Sequence, residues 1–132
     1  MSTVPYQYVV LRCVPRVERE EFVNVGVVLY SQSADFLDAD WRLDEPRLRA
    51  FAPGLDLDAV GAALDTVCRV CRGETGGGLP TLGSLGRRFG WLSAPRSTVV
   101  QPGPVHGGLT ADPATELGAL LDRLVTGGSQ TA

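Results

Sequence analysis

Phe22 to Tyr30, FVNVGVVLY, is the stretch that decides the fold. Its nearly continuous run of β-branched and apolar residues is what a strand covered on both faces looks like, and it is placed as the central strand of a sheet. Asn24 and Gly26 break the run. Because Gly26 has no side chain, it predicts a bulge or a close approach by a neighbouring side chain.

Upstream, Tyr6 to Val14 reads as a strand with Tyr6, Tyr8, Val10 and Val14 on one face and Val9, Leu11 and Cys13 on the other, Arg12 interrupting the first face. The turn-like PRVEREE separates it from the central strand. Downstream, the polar turn Ser31 to Asp35 leads into Leu37, Ala39, Trp41 and Leu43 alternating with Asp38, Asp40, Arg42 and Asp44, the mark of a half-exposed strand. So short a link predicts an antiparallel hairpin, since a parallel crossover needs about a dozen residues.

Helical spacing takes over next. Asp44 caps a short helix carrying Leu48 and Phe51, which Pro53-Gly54 stops. Asp56 begins a stronger one, with Leu57, Val60, Leu64, Val67 and Cys71 on one stripe and Asp58, Asp65, Arg69 and Arg72 on another. Residues 73–78, with four glycines, read as a mobile loop. A weaker helix, interrupted by Gly83 and Gly86, covers Leu82 to Phe89, and Ser97 to Gln101 returns to strand until Pro102. The last helix has Asp112 as N-cap, Pro113 at its first position, the stripe Leu117, Leu120, Leu121, Leu124 and Val125, and Gly127 at its end. The expectation is a single α+β domain over 1–132: a small, mainly antiparallel sheet of about four strands with helices packed on it, including a C-terminal helix. Residues 1–4 and 127–132 are expected to be disordered.

Composition narrows the function. At 132 residues, 44% hydrophobic and 20% charged, the chain has apolar material for one core. Every basic residue is Arg, and neither Lys nor Ile occurs, as in a GC-rich, actinobacterial-like composition. Without Lys there is no Schiff base to pyridoxal phosphate, no Walker A loop and no kinase-type phosphate lysine. A net charge of −3 argues against bulk nucleic-acid binding. With no apolar run of membrane-spanning length, no secretory leader and only three cysteines, a cytoplasmic location with reduced thiols is expected.

Charge is unevenly spread. Residues 75–111 hold Arg87, Arg88 and Arg96 and no acid, whereas 1–74 carry twelve acids against eight arginines. Either these arginines pair internally with the surplus acids or they form an anion-binding surface. Arg96, after Pro95 and before Ser97 and Thr98, offers a planar donor fork for phosphate or carboxylate, with an ion pair to Asp38 or Asp40 as the structural alternative. His106, the sole histidine, is either a turn residue in GPVHGG or the one imidazole available to a nucleophile such as Ser93, Ser97, Thr98 or Cys13, with Asp112 orienting it. Cys68 and Cys71 have C-x-x-C spacing but share the apolar stripe with Leu64 and Val67, so they read as core ahead of redox or zinc. Asp38 and Asp40, with Glu18, Glu20 or Glu21, could supply carboxylates to Mg²⁺, though a solvated strand face has the same pattern. No metal and no cofactor is expected.

Four segments carry a resemblance: YQYVVLRCVP (Tyr6 to Pro15), EFVNVGVVLY (Glu21 to Tyr30), RLRAFAPGLDL (Arg47 to Leu57) and FGWLSAPRSTVVQPGPVHGGLTADPATEL (Phe89 to Leu117). Together they resemble a bacterial family known as domain of unknown function 3037, over nearly the whole chain. The resemblance carries over no activity and no catalytic residue. It implies small cytoplasmic proteins, some encoded beside a kinase-like protein of the HipA type, and hence a protein partner.

The functional expectation is a non-enzymatic accessory module that engages an acidic or phosphate-bearing partner through 87–108. Arg87, Arg88, Arg96, Ser97 and His106 would make the polar contacts and Trp91 would supply a stacking surface. The alternative is a small hydrolase or transferase on a phosphate-containing substrate, with His106 as general acid or base and Arg96 stabilising charge. A subunit of an obligate oligomer is the third reading.

Overall fold

The computed structural model describes residues 2–127. In it, β1 (Val4–Cys13), β2 (Val23–Ser31) and β3 (Phe36–Trp41) form an antiparallel meander, followed by α1 (Glu45–Phe51), α2 (Leu57–Cys71) and α3 (Leu85–Ser93). The chain then returns through β4 (Val100–Pro102) and β5 (His106–Thr110) before α4 (Pro113–Leu124). The fold is α+β, a five-stranded antiparallel sheet with four helices, the last of them C-terminal. The strand order is β3-β2-β1, with β4 and β5 both paired to the far edge of β1.

β2 is covered on both faces, and that is why it is apolar at nearly every position. Val23, Val25 and Val28 join Val9, Leu11 and Cys13 in a core beneath α1, α2 and α3, which bury Leu48, Val60, Leu64, Val67, Phe89 and Leu92 there. Val27 and Leu29 face the other way, into a second core built by Tyr6 and the α4 residues Leu117, Leu120 and Leu121. The usual alternation slips by one between Val25 and Val27 because the strand is bulged. Leu11 pairs with Gly26 but Arg12 pairs with Asn24, leaving Val25 without an opposite number.

Both exceptions in the run are accounted for. A Cβ on Gly26 would stand 2.9 Å from the Asp40 carbonyl oxygen, 3.0 Å from Trp41 Cβ and 3.1 Å from Leu11 Cδ1, so bulge and close approach coincide. Asn24 donates its Nδ2 to the Leu124 carbonyl at 3.1 Å, satisfying the C-terminal end of α4.

α1, α2 and α4 start at the expected caps, with the carboxylates of Asp44, Asp56 and Asp112 accepting from the amides of Arg47, Ala59 and Ala114. Two elements differ from expectation. The weak helix begins at Leu85, not Leu82, because Ser84 is its N-cap and accepts from the Arg87 amide at 3.2 Å; it runs on to Ser93 and takes in Trp91. The expected strand at 97–101 shrinks to β4, and a further strand, β5, contains His106, which therefore lies in no tight turn. β4 and β5 are one edge strand interrupted at 103–105. Its pairing runs from Val100 opposite Cys13 to Thr110 opposite Val4, and Gly103 donates to the Val10 carbonyl at 2.8 Å in the gap. β5 hides from a sequence reading because HGGLT resembles a turn. Gly108 is needed beneath the Tyr6 ring, where a Cβ would come within 2.6 Å of the Tyr6 hydroxyl.

At the amino end, Val4 is paired in the sheet, so the disorder expected of 1–4 does not reach it. Gly127 takes a φ of +87° just past the last helix, and Met1 and 128–132 lie outside the described residues. No helix among the described residues is long and apolar enough to cross a membrane.

Candidate functional site

The acid-free segment builds α3 and the loop after it. Phe89 and Leu92 turn into the larger core, and Tyr30 stacks on Phe89 with ring centres 5.3 Å apart, fixing the helix over β2. Its first turn carries no acid, unlike those of α1, α2 and α4, which have Glu45, Asp58 and Glu116. The positive end of its dipole is therefore left uncompensated, with Arg87 and Arg88 beside it.

None of the three cations meets a carboxylate among the described residues; the internal ion pairs considered from composition, including Arg96 with Asp38 or Asp40, are not formed. Two of the cations instead answer backbone carbonyls. Arg88 donates Nη1 to the Cys71 carbonyl at 3.0 Å, closing the end of α2, and its guanidinium lies so close over Gly73 that a Cβ there would be 3.2 Å away. Gly73 also has a φ of +78°, the left-handed turn that ends α2, so the first glycine of the 73–78 loop serves both roles. Arg96 donates Nη2 to the Trp91 carbonyl at the end of α3 and Nε to the Ala94 carbonyl at 3.4 Å, and its guanidinium lies 4.5 Å from the centre of the Trp91 ring. Burial lowers the Arg96 pKa. Trp91 and Arg96 are thus each other's partners. Arg87 is different: it is exposed, and among the described residues its side chain has no bonded partner, only its backbone amide reaching a side chain, Ser84 Oγ.

Beside the first turn of α3 opens a cleft of about 640 Å³ lined by Tyr30, Gln32, Asp35, Gly83, Ser84, Leu85, Gly86 and Arg88. It adjoins a second of about 520 Å³, with Pro5, Gln7 and Ser33, and Tyr30 and Gln32 border both. Gly86 keeps the cleft open, since a Cβ there would lie 3.0 Å from the Tyr30 hydroxyl. Sequence reasoning missed Tyr30 and Gln32 as lining residues; the glycine inside a weak helix was the available signal. A separate cleft of about 540 Å³ lies between 15–21 and the α1–α2 turn, floored by Pro15, Phe51 and Leu55. Its two cations, Arg16 and Arg19, are already paired with Glu18 and Glu21 at 2.8 and 2.7 Å.

His106 is placed elsewhere. It stands opposite Tyr8 on β1, and its ring stacks on the Tyr8 ring at 5.2 Å, on the α4 side of the sheet. Arg87, Arg88, Trp91 and Arg96 all lie on the α3 side, so the sheet separates them from His106, and His106 and Arg96 do not share a site. Ser97 is exposed in the loop after Arg96.

The paired acids of β3 are occupied with their own strand. Asp38 accepts from the Ala39 amide and Asp40 from the Trp41 amide, each at 2.8 Å. No group of three His, Cys, Asp or Glu with metal-holding geometry occurs among the described residues.

All three thiols are suppressed by burial. Cys13 and Cys68 are pushed upward and Cys71 reaches about 12, against an ordinary 9.0. A raised thiol pKa contributes stability that is complete below pH 9 and lost as pH climbs towards 12, because the unfolded chain ionises first. At pH 8, alkylation of Cys71 in the native protein is expected to run about a thousandfold slower than in the unfolded chain, matching its smaller thiolate fraction. Mass spectrometry after timed iodoacetamide treatment measures it; labelling of Cys71 at the unfolded rate would contradict its placement in the core.

Comparison with curated proteins and with solved structures gives no match. A family described as Protein of unknown function (DUF3037) matches over residues 8–125, a span holding the larger core, all of the second core but Tyr6, and α3. On that match, covering most of its length, the chain belongs to the DUF3037 family.

Proposed function

We propose that this protein is a binding module that receives an acidic or phosphate-bearing group of a protein partner at the first turn of α3. The carrying observation is Arg87: exposed, and among the described residues bonded through its side chain to neither carboxylate nor carbonyl, in a chain where six other arginines pair with acids. Its neighbours in the first turn of α3, from Gly83 to Gly86 together with Arg88, line one open cleft with Tyr30 and Gln32, at the uncompensated end of the helix. Asp35 lies at the same cleft and orients the preference, favouring an anion that sits towards α3 and away from the β2–β3 turn. Arg96 and Trp91 support this surface by ending α3, and His106 belongs to the opposite face. The kinase-like partner implied by the family resemblance is the first protein to test.

Calorimetric titration of the full chain with a phosphoserine peptide and its unphosphorylated counterpart tests the reading. The phosphorylated peptide is expected to bind at least roughly tenfold more tightly, a difference Arg87→Glu abolishes. Equal binding of the two peptides, or an unchanged difference in the variant, would sink it.

A further inference from the structure

The two edges of the sheet are unlike. At the β3 edge the amides of Ala39 and Trp41, which alternate with the Arg42 amide bonded to β2, point outward, and each is occupied by the preceding aspartate. Donors already taken, with carboxylates along the strand, guard that edge against any incoming chain.

β5 has no such guard. The Pro5 carbonyl accepts from Ser31 on β2 and the Val10 carbonyl accepts from Gly103, so alternate residues of β1 address the two sides and Val4, Tyr6 and Tyr8 address β5. His106, Gly108 and Thr110 are consequently bonded inward, while the N–H and C=O groups of Gly107 and Leu109 point out of the sheet. The extensive contacts of β5 are with β1 alone. From Ser97 to Thr110 there is no Asp, Glu, Arg or Lys, and Leu109 is 68% exposed.

We infer that β5 is an assembly edge, pairing antiparallel with β5 of a second copy of this chain about a twofold axis at Gly108. That axis sets Gly107 against the partner's Leu109 and Leu109 against the partner's Gly107, giving two mutually bonded pairs and roughly four hydrogen bonds. The register suits a second copy in particular. Each Leu109 crosses a position that carries no side chain, so the bulky residue lies over bare backbone in both directions. The edge is free of formal charge, so two molecules of net charge −3 meet without opposing carboxylates. The guarded β3 edge forbids head-to-tail addition of β3 to β5, so assembly closes at two copies instead of growing into a filament.

Sedimentation equilibrium on the full chain decides the matter. The mass is expected to rise with concentration towards twice the 14.0 kDa of one chain. Leu109→Pro removes an outward N–H while leaving the inward bonds of Gly108 and Thr110, and Leu109→Lys places a charge on the edge with the backbone unchanged. Each variant is expected to weaken self-association by roughly tenfold or more. Should circular dichroism find the proline variant unfolded, the lysine variant decides alone. A single-chain mass at every concentration, including one in which only a foreign strand takes the edge, overturns the inference, as does a dimer indifferent to Leu109→Lys.

Discussion

Valine at position 26 is expected to destabilise the protein by about 3 kcal/mol or more, lowering Tm by roughly 10 °C. The cause is steric and has no easy relief. The nearest neighbour of the added Cβ is a backbone atom, the Asp40 carbonyl oxygen at 2.9 Å, which cannot swing aside without separating β3 from β2, and Trp41 Cβ and Leu11 Cδ1 close the other directions. Alanine at the same site should cost less, though still more than at Gly54, which has open space around it and serves as the control. Thermal unfolding of the three variants checks the order; a Gly26→Val protein as stable as the parent would mean that the bulge does not bring β3 so close.

The second large effect tests the layering. Leu64 on α2 and Leu120 on α4 are both 0% exposed, but they belong to cores on opposite faces of the sheet. Truncation of either to alanine is expected to cost about 2–5 kcal/mol. Because the two cores share no buried member, the double variant should lose the sum of the two within about 0.5 kcal/mol. Denaturant unfolding measures all three. A cost at Leu120 below about 1 kcal/mol would mean that α4 does not bury the outer face of β2.

Much of this architecture was legible because a doubly covered strand must be apolar at every position, and Phe22 to Tyr30 is almost that. Helix starts were legible wherever a carboxylate preceded an apolar stripe, at Asp44, Asp56 and Asp112. β5 was not, because its two glycines answer to the Tyr6 ring and to the edge of β1, partners far away in sequence. The same limit applied to the site. An acid-free stretch was visible, but composition could not separate a cation that ends a helix from one without a side-chain partner among the described residues: Arg88 and Arg96 each donate to a helix-ending carbonyl, of Cys71 and of Trp91, while Arg87 does not. Nor could it assign His106 a face, since that depends on its register opposite Tyr8.

Anion recognition at the first turn of α3 is tested most directly by following the backbone amides of the ¹⁵N-labelled chain as inorganic phosphate is added. The account predicts saturable shifts concentrated at Ser84, Leu85, Gly86, Arg87 and Arg88, with smaller ones at Gln32, all lost in Arg87→Gln. Shifts that never saturate, that persist in Arg87→Gln, or that gather instead around Arg16 and Arg19 would contradict it.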